Sequence, residues 1–552
     1  MSHRINHYEK GEGKMKKKYI WAIIVLALSL VLLLSGCISN QASNNAPNDM
    51  SVSSAVPATA VSNQTDSITI MVSGKLNPED ASPLESSTEM CLYEMVYEPL
   101  VKYGNGGVIE PGLAENWNIS DDGTQYTFYL RKDVNFSDGT GFNAGSVVSS
   151  AKRWDPTRFS TPLTNVEKLD DYTVRLTFKE NSYPVLIELT YPRPFRIASE
   201  NSFDANGNFV KMIGTGEWMV ESYIPEEEVV MAPNPYYYGT KPDIKKITIR
   251  KVTDGESRIM ALQGGEADLS LADLPSESKS IIESSKNLAV KTTEGTMGFF
   301  LMLNQENKAL QDKNVRLALN YAIDKDSIVE NILGGDGVAA KGILPETVPY
   351  VTRENSEGYS YNPEKARELL TESGYTDSNG DGIVEKDGVP LSLKLVFQSE
   401  EYASWKSTCE YLQAAAREVG IDIQLEQRDT SAYYDAIWKN RDFDMIIYRT
   451  YEDSWNPHGF LRSMFYQTEG STSVCWYDSQ LNTYLDEVIK TQDETTRQAK
   501  YDQIFKLIND EVLVVPLCYP NKQYAYNNRL QNVTVAPTNY EGIEWQMLTI
   551  AK

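Results

Sequence analysis

The sequence predicts an α/β protein built as two lobes. Its first half is rich in short segments that alternate apolar and polar residues, as strands do, whereas its second half alternates strands with helices. After Cys37 the chain is also too long for one hydrophobic core, so two lobes are expected. The elements are justified below in chain order.

The N-terminal segment predicts a secretory signal. Lysines at positions 16–18 precede the apolar run Tyr19–Leu34, which only Ser29 interrupts. A run this short with these flanks is typical of a signal peptide rather than a membrane-spanning helix. The ending Leu33-Leu34-Ser35-Gly36-Cys37 resembles a lipoprotein box, which implies removal of residues 1–36 and a lipid on Cys37. Met15 is an alternative start to Met1.

The next segment, residues 37–66, predicts a flexible tether. It is rich in Ser, Asn, Ala, Pro and Thr, and such a composition cannot bury enough apolar surface to become ordered. The rest of the chain is therefore expected to work outside the cytoplasm, anchored to the cell membrane through the lipid on Cys37.

Alternating patterns and turn signals place the elements of the first half. Tyr126, Phe128 and Leu130 fall on one face of a strand between the turns Asp121-Asp122-Gly123 and Asp138-Gly139. The predicted strands also include Ser67–Val72 and Tyr172–Phe178, and helices are expected near Glu89–Glu98 and Ala144–Arg153.

Helical spacing and capping signals place the elements of the second half. Asn362 and Pro363 begin a helix with a cap and a first-turn proline, and Gly374 ends it. The other predicted helices are Asn314–Ala322, Glu400–Val419 and Leu481–Asn509 with a polar break, and the predicted strands are Leu391–Phe397, Ile421–Gln427, Met445–Tyr448 and Val512–Cys518.

Composition excludes several classes of partner. Without residues 1–36 the chain has 46 basic and 75 acidic residues, a net charge of −29. Such a charge argues against nucleic acid or an anionic membrane surface as a partner. Four cysteines remain beyond Cys37 with no CxxC pair, so the sequence offers no zinc or redox motif. Disulfides and buried free thiols both stay open as interpretations.

Six stretches, taken together, resemble the extracytoplasmic solute-binding proteins of the peptide/nickel class of ABC importers, solute-binding protein family 5. They are Met95-Val-Tyr-Glu-Pro-Leu-Val101, Gly112-Leu-Ala-Glu-Asn-Trp117, Val134-Asn-Phe-Ser-Asp-Gly139, Ile213-Gly-Thr-Gly216, Asn234-Pro-Tyr-Tyr-Tyr-Gly239 with Lys241-Pro, and Val315-Arg-Leu-Ala-Leu-Asn-Tyr-Ala-Ile323. Further stretches are most similar to the nickel-binding branch, namely Tyr191-Pro-Arg-Pro-Phe-Arg196, Tyr448-Arg-Thr-Tyr451, Asn456-Pro-His458 and Asp493-Glu-Thr-Thr-Arg497.

The resemblance implies a type II periplasmic-binding-protein clamshell with an extra β-rich subdomain in the first lobe. The first lobe is expected to comprise residues 67–300 and 523–552, and the second lobe residues 301–522. The protein is expected to be a monomer that delivers its ligand to the permease and ATPase subunits of a membrane importer, without a covalent cofactor besides the lipid on Cys37.

The candidate ligand-binding residues come from this resemblance and from their chemistry. Arg193 and Arg196 lie on a backbone stiffened by two prolines, and a guanidinium group can grip a carboxylate through two hydrogen bonds. From residue type alone, a structural pair of surface arginines is the alternative. The resemblance implies that Arg193 and Arg196 bind the ligand, together with a further arginine, either Arg153 or Arg158, of which Arg153 is preferred. It also implies four pocket residues: Tyr451, Trp455, Tyr434 and Met90.

The metal-binding chemistry is constrained by the scarcity of histidine. Nickel favours imidazole nitrogen, yet beyond residue 36 the chain has one histidine, His458, so a site of several histidines is excluded. The nickel branch binds nickel within a small organic chelator. In that branch a histidine follows a Ser-Met pair by a few residues. The corresponding position in this chain falls near Glu469, where there is no histidine, so the metal-ligating residues stay unassigned. His458 itself is expected to have a structural hydrogen-bonding role.

The segment Asp377-Ser-Asn-Gly-Asp-Gly382 is similar to the start of a calcium-binding loop, but its twelfth position is Gly388 rather than an acid. A polar turn is therefore the preferred interpretation.

No GxSxG, HExxH, P-loop or GxGxxG motif is present, which agrees with a binding protein rather than an enzyme. The leading prediction is capture of a nickel chelate. A peptide-binding protein of the same class is the alternative, and a secreted hydrolase or a partner of a chemosensory receptor is a distant third.

Overall fold

The computed structural model describes residues 66–83, 88–104, 107–272, 274–275, 278–451, 456–468, 473–538 and 543–551. The predicted signal peptide, Cys37 and the predicted tether up to residue 65 lie outside these ranges. None of the described helices combines the length and the apolar character needed to cross a membrane.

Twelve strands form one mixed sheet. The predicted strand Ser67–Val72 is confirmed, and it pairs in parallel with Lys246–Lys251, which has the same alternation of buried isoleucines. In spatial order, ten strands are Asp422–Gln427, Ser392–Phe397, Met445–Arg449, Phe299–Leu303, Val514–Asn527, Leu269–Ser270, Ser67–Val72, Lys246–Lys251, Glu228–Pro233 and Trp218–Ile224, while Leu288–Glu294 and Gly337–Ala339 pair with Val514–Asn527 beside this path.

The strand Val514–Asn527, called here the long strand, differs from its prediction. The sequence predicted a strand that ends at Cys518, and the structure continues it to Asn527. Proline lacks the N–H that a ladder needs and normally signals the end of a strand. Here the strand changes its partner near Pro520, from Phe299–Met302 on one side of that residue to Leu288–Glu294 on the other. Pro520 itself lies opposite Gly337 of the strand Gly337–Ala339, and the long strand continues past it.

A separate antiparallel sheet of four strands provides the β-rich part. Its strands are, in spatial order, Ala114–Ile119, Gln125–Leu130, Thr173–Phe178 and Leu163–Asp170. Tyr126, Phe128 and Leu130 are all buried, which confirms the shared face that the alternation predicted. Three two-stranded ladders complete the sheets of the described residues: Val101–Tyr103 with Ile109–Pro111, Glu385–Lys386 with Val389–Pro390, and Leu530–Gln531 with Thr549–Ile550.

The predicted helices form close to their expected positions. Asn362 caps its helix by accepting a hydrogen bond from the N–H of Lys365, and Asp493 caps the helix that follows the polar break. The α-helices are Met90–Val96, Ala144–Ala151, Val185–Glu188, Gly255–Gly264, Ser278–Ser284, Lys313–Ala322, Lys325–Ser327, Pro363–Glu372, Ser404–Glu418, Thr430–Asp435, Pro457–Phe465, Ser479–Ile489 and Glu494–Asp510. Shorter helical segments are Pro156–Arg158, Glu200–Ser202, Ile328–Ile332, Ala436–Asn440 and Trp545–Met547.

Buried apolar side chains of the described residues gather in separate cores. The first core contains Ile68, Ile70 and the helix Met90–Val96, together with five residues near the C-terminus: Leu530, Val533, Ile543, Trp545 and Leu548. The β-rich core lies under the four-stranded sheet and contains Phe128 and Phe195. The second core spans the apolar residues from Phe299 to Cys518. A small fourth cluster forms around Ile259. Separate cores on either side of the long strand agree with the predicted two-lobed α/β fold.

Four cysteines in the described part of the chain are free thiols, and all of them are buried: Cys91, Cys409, Cys475 and Cys518. Of the two interpretations that the sequence left open, the buried thiol is therefore the one that the structure supports.

Candidate functional site

The segment Tyr191–Arg196 holds its first arginine half-buried. Pro192 and Pro194 on either side of Arg193 are buried, and the peptide bond between Arg193 and Pro194 is cis. Arg193 makes no hydrogen bond or ion pair with any residue that the structure describes. A partly desolvated guanidinium group without a protein partner is suited to binding a carboxylate from outside the chain.

Arg196 is buried on the same segment. The indole Nε1 of Trp154 donates a hydrogen bond of 3.3 Å to the Arg196 carbonyl oxygen and so fixes the backbone there. The Arg196 side chain lines a cavity together with Glu94 and Glu98. The structure thus gives the two arginines different surroundings, although only three positions separate them.

Arg153 is engaged within the first half of the chain. Its guanidinium group forms an ion pair with Asp80 and lies 3.5 Å from the centre of the Phe203 ring. Arg158, the alternative candidate, is more exposed and lies 3.7 Å from Asp155. Neither contact joins these arginines to Arg193, so the role of Arg153 as a ligand-binding residue stays a prediction.

The predicted aromatic residues lie on the other side, against the second core. Tyr434 Oη donates a hydrogen bond of 2.7 Å to Glu401 Oε2, and Tyr451 Oη lies 2.7 Å from Ser463 Oγ. The Arg449 guanidinium group lies 6.0 Å from the centre of the Tyr451 ring. Burial, together with the nearby Glu401 carboxylate, raises the pKa of the Tyr434 phenol, which stays neutral at physiological pH.

The remaining two predicted residues have different outcomes. Met90 begins the helix Met90–Val96 and packs against the first core while remaining partly exposed. Trp455 lies outside the described residues, and so does Glu469.

One close approach joins the arginine segment to the second core. A methyl group added at Gly459 would lie 3.6 Å from the hydroxyl of Tyr191. Gly459 belongs to the helix Pro457–Phe465, which also carries Ser463, the partner of Tyr451. The structure therefore brings the segment with Arg193 close to the helix beside Tyr451. Among the described residues, no hydrogen bond, ion pair or cation–π contact joins Arg193 to Tyr434 or Tyr451.

His458 lies on the same helix and is buried. Its Nε2 hydrogen-bonds to Ser160 Oγ, and Ser160 also donates its hydroxyl proton to Glu188. When Glu188 is ionised, that hydroxyl gives it its one proton, so His458 Nε2 carries the hydrogen of the bond between Ser160 and His458. Burial and the nearby Arg462 charge hold the pKa of His458 well below its usual range. A neutral, buried histidine in this chain of hydrogen bonds agrees with the predicted structural role.

Glu188 was missed by the sequence analysis. Burial raises the pKa of Glu188 to about 7, although its hydrogen bonds to Ser160 oppose that rise. Since Ser160 and Glu188 lie near the β-rich core and His458 lies at the second core, the three side chains link the two parts of the protein. No signal in the sequence joins positions that lie so far apart.

One group of carboxylates among the described residues comes close enough to share a cation. Oxygen atoms of Asp377, Asp381 and Glu385 all lie within 4.8 Å of one another. The sequence analysis considered the first two but did not include Glu385. Its carboxylate accepts hydrogen bonds from the Ser378 N–H and the Asn379 amide, so the loop holds itself together as the predicted polar turn would.

Comparisons with known proteins agree with the fold. Residues 108–472 match the model of the bacterial extracellular solute-binding proteins, family 5, middle region. The chain is 33% identical over 484 residues to the nickel-binding periplasmic protein of Escherichia coli strain K12, covering 84% of this chain and 90% of that protein. It is 26% identical over 480 residues to the oligopeptide-binding protein AppA of Bacillus subtilis strain 168, covering 82% and 86%.

Among solved structures, the chain is similar to NikA from Brucella suis in complex with Fe(III)-EDTA. The TM-score is 0.81 with 30% sequence identity, and the superposition covers 88% of this chain and 99% of that one. These relatives are therefore a protein named for nickel, a protein named for oligopeptides and a protein whose structure contains Fe(III)-EDTA.

Proposed function

Because the chain belongs to family 5 of the bacterial extracellular solute-binding proteins, we propose that it captures a nickel chelate, or the chelate of another metal, for import. Family 5 proteins bind small-molecule ligands outside the cytoplasm and serve the permease and ATPase subunits of ABC importers, and they are not enzymes. The metal and its chelator are the parts of this assignment that need an experiment.

The observation that carries the proposal is Arg193. A half-buried guanidinium group without a described protein partner, framed by two buried prolines, provides a rigid anchor for a carboxylate. A metal chelator with carboxylates would bind there, while the metal itself would touch the protein little. The single histidine beyond residue 36 supports this arrangement, since His458 is buried and already hydrogen-bonded.

Calorimetry tests the anchor. Arg193→Ala should weaken binding of nickel with L-histidine or citrate by about 2–5 kcal/mol, the range for removing one partner of a buried charged pair. Arg175→Ala is a matched control, because Arg175 is an arginine of the β-rich sheet whose contacts are Glu167 and Thr127. Unchanged chelate affinity in Arg193→Ala, or tight binding of bare nickel that is lost in His458→Ala, would refute the proposed arrangement.

A peptide ligand is the second candidate, and one observation favours it. Glu401 is an exposed carboxylate that Tyr434 holds in place, and a carboxylate is the group that would meet the free amine of a peptide. In this case short peptides should bind tightly without metal. Glu401→Gln should lower the affinity for peptides and leave the affinity for a metal chelate unchanged. The same calorimetry, with a dipeptide or a longer peptide as the titrant, separates the two candidates.

We further propose that Cys37 carries a lipid anchor and that the lobes divide near residues 300 and 522. The first proposal rests on the signal-like sequence Met15–Cys37, which lies outside the described residues. The second is supported by the distribution of the cores, since Phe299–Leu303 belongs to the second core and Tyr524 to the first.

A further inference from the structure

A cavity of about 140 Å³ lies beside Arg196, and Arg193 is not among the residues that line it. This volume would hold a small organic molecule, because a cavity of similar size holds benzene, whereas one water needs only about a tenth of it. The described residues that line it come from several separate segments of the chain and include Glu94, Glu98, Lys102, Arg196, Glu217 and Trp545.

Three carboxylates in this cavity each keep one oxygen without a hydrogen-bond donor among the described residues. These oxygens are Glu94 Oε1, Glu98 Oε2 and Glu217 Oε2. Glu98 is only 4% exposed, and its other oxygen accepts hydrogen bonds of 2.9 Å from both Lys102 and Tyr238. A buried carboxylate oxygen without a donor is costly, since its lost hydration is not replaced.

Two basic side chains, Lys102 and Arg196, also line the cavity, yet neither donates a hydrogen bond to any of these three oxygens. Burial raises the pKa of Glu94 to about 7 even though the charges of Arg196 and Lys522 oppose the rise. Burial likewise raises the pKa of Glu217 to about 7, with Lys102 opposing the rise and Glu98 and Glu544 adding to it. At neutral pH the Glu94 and Glu217 carboxyl groups, with pKa values of about 7, are therefore only partly ionised, and a bound cation would favour their ionised form.

The shape and lining of the cavity indicate which cation would fit. Within the described residues, one group of three potential metal-ligating side chains has its ligand atoms within 4.8 Å of one another, and it consists of Asp377, Asp381 and Glu385. The cavity carboxylates therefore do not converge on one metal ion. Acceptors that are spread over a cavity suit a polyatomic cation with several N–H groups. Aromatic side chains also line it, and their ring faces attract such cations.

We propose that this cavity binds the ammonium or guanidinium group of a small organic molecule, with Glu94, Glu98 and Glu217 as its acceptors. Glu98 is the strongest sign of an unfilled site, because it is 4% exposed and its Oε2 has no described donor. The inference goes beyond the chelate assignment and does not depend on it, since none of the three carboxylates belongs to the proposed chelate anchor.

The cavity is close in the chain to the predicted ligand-binding residues. Glu94 lies one helical turn after Met90 on the helix Met90–Val96, so the two share a helix face, and Arg196 follows Arg193 by three residues. The cationic group could therefore belong to a free small amine or to part of the molecule that Arg193 anchors. The chemistry is the same in both cases, and the experiment below separates them.

Calorimetry with n-butylamine and n-butylguanidine tests the site on the whole protein, with n-butylurea as the neutral isostere of the guanidine. The two cations should bind at least tenfold more tightly than butylurea, and Glu217→Gln and Glu94→Gln should each lower their affinity at least tenfold. Glu221→Gln is the matched control, because Glu221 is an exposed glutamate on the adjacent strand Trp218–Ile224. Circular dichroism on each variant checks that the fold is retained.

Equal binding of butylurea and butylguanidine, or full binding in both Glu217→Gln and Glu94→Gln, would overturn the proposal. A titration of butylguanidine into protein saturated with nickel–histidine then identifies the source of the cation. Competition assigns the site to part of the anchored ligand, and independent binding assigns it to a free amine. Because the cation is measured without metal, loss of chelate binding in Arg193→Ala would leave this test unaffected.

Discussion

The buried carboxyl group of Glu188 should make the stability of the protein fall as the pH rises. Burial lifts its pKa from 4.5 to about 7 in the folded protein, and the residue is 2% exposed. In the unfolded chain the group returns to its ordinary value. The folded state therefore holds this proton more tightly, so its contribution to stability is fully present below pH 4.5 and is lost as the pH rises through about 7. The difference corresponds to about 3 kcal/mol.

Glu188→Gln isolates this contribution. The glutamine carbonyl can still accept the Ser160 hydrogen bonds that Glu188 Oε1 accepts now, but the side chain no longer ionises. Relative to the variant, the unchanged protein should lose about 3 kcal/mol of unfolding free energy between pH 4.5 and pH 8.5. A constant offset between the two is also expected, because the glutamine amide would sit where Glu188 Oε2 has no described partner.

Urea unfolding at five pH values across this range measures the effect. The other groups near Glu188 are His458, which stays neutral, Tyr126, whose pKa is raised, and the Arg462 charge. None of these changes its charge in the range, so the difference curve reports Glu188. Glu200→Gln, at an exposed position of the same half of the chain, should give a flat curve. A flat curve for Glu188→Gln as well would refute the reasoning.

Two further predictions concern the whole molecule. Cys37→Ser should release the protein from the membrane into the soluble fraction, as cell fractionation would show, and continued retention would argue against a lipid anchor. Saturation with the transported ligand should lower the radius of gyration in small-angle scattering if the lobes close over it, and an unchanged radius would argue against closure about a two-strand hinge near residues 300 and 522.

The local elements were largely predictable because short-range chemistry decides them. The cap and proline at Asn362 and Pro363 fix a helix start without reference to the rest of the chain. The end of the long strand was not predictable, since the prediction stopped where the apolar run ends at Cys518, whereas pairing with Leu288–Glu294 extends the strand to Asn527. The sequence carries no information about which distant strand will pair there.

The site was predictable in part. A family resemblance pointed to Arg193, and its proline frame is a local property that the sequence displays. The partners of the other side chains are long-range and were not predictable: Arg153 finds Asp80 across 73 positions, and Ser160 finds His458 across 298. The cavity carboxylates were missed for the same reason, although Glu98 stands within the quoted stretch Met95–Val101.

The makeup of the first core has a consequence for the order in which the protein is synthesised and folds. That core unites Ile68 and Ile70, among the earliest described residues, with Trp545 and Leu548 near the C-terminal end. Among the described residues, the buried members of the second core lie within residues 299–518, with Tyr183 and Met297 packed against them, so this core can close while the ribosome is still adding the tail. The half of the chain that is made first must therefore wait for the last thirty or so residues. Until they arrive, Leu269–Ser270 and Leu288–Glu294 lack their partner in the long strand.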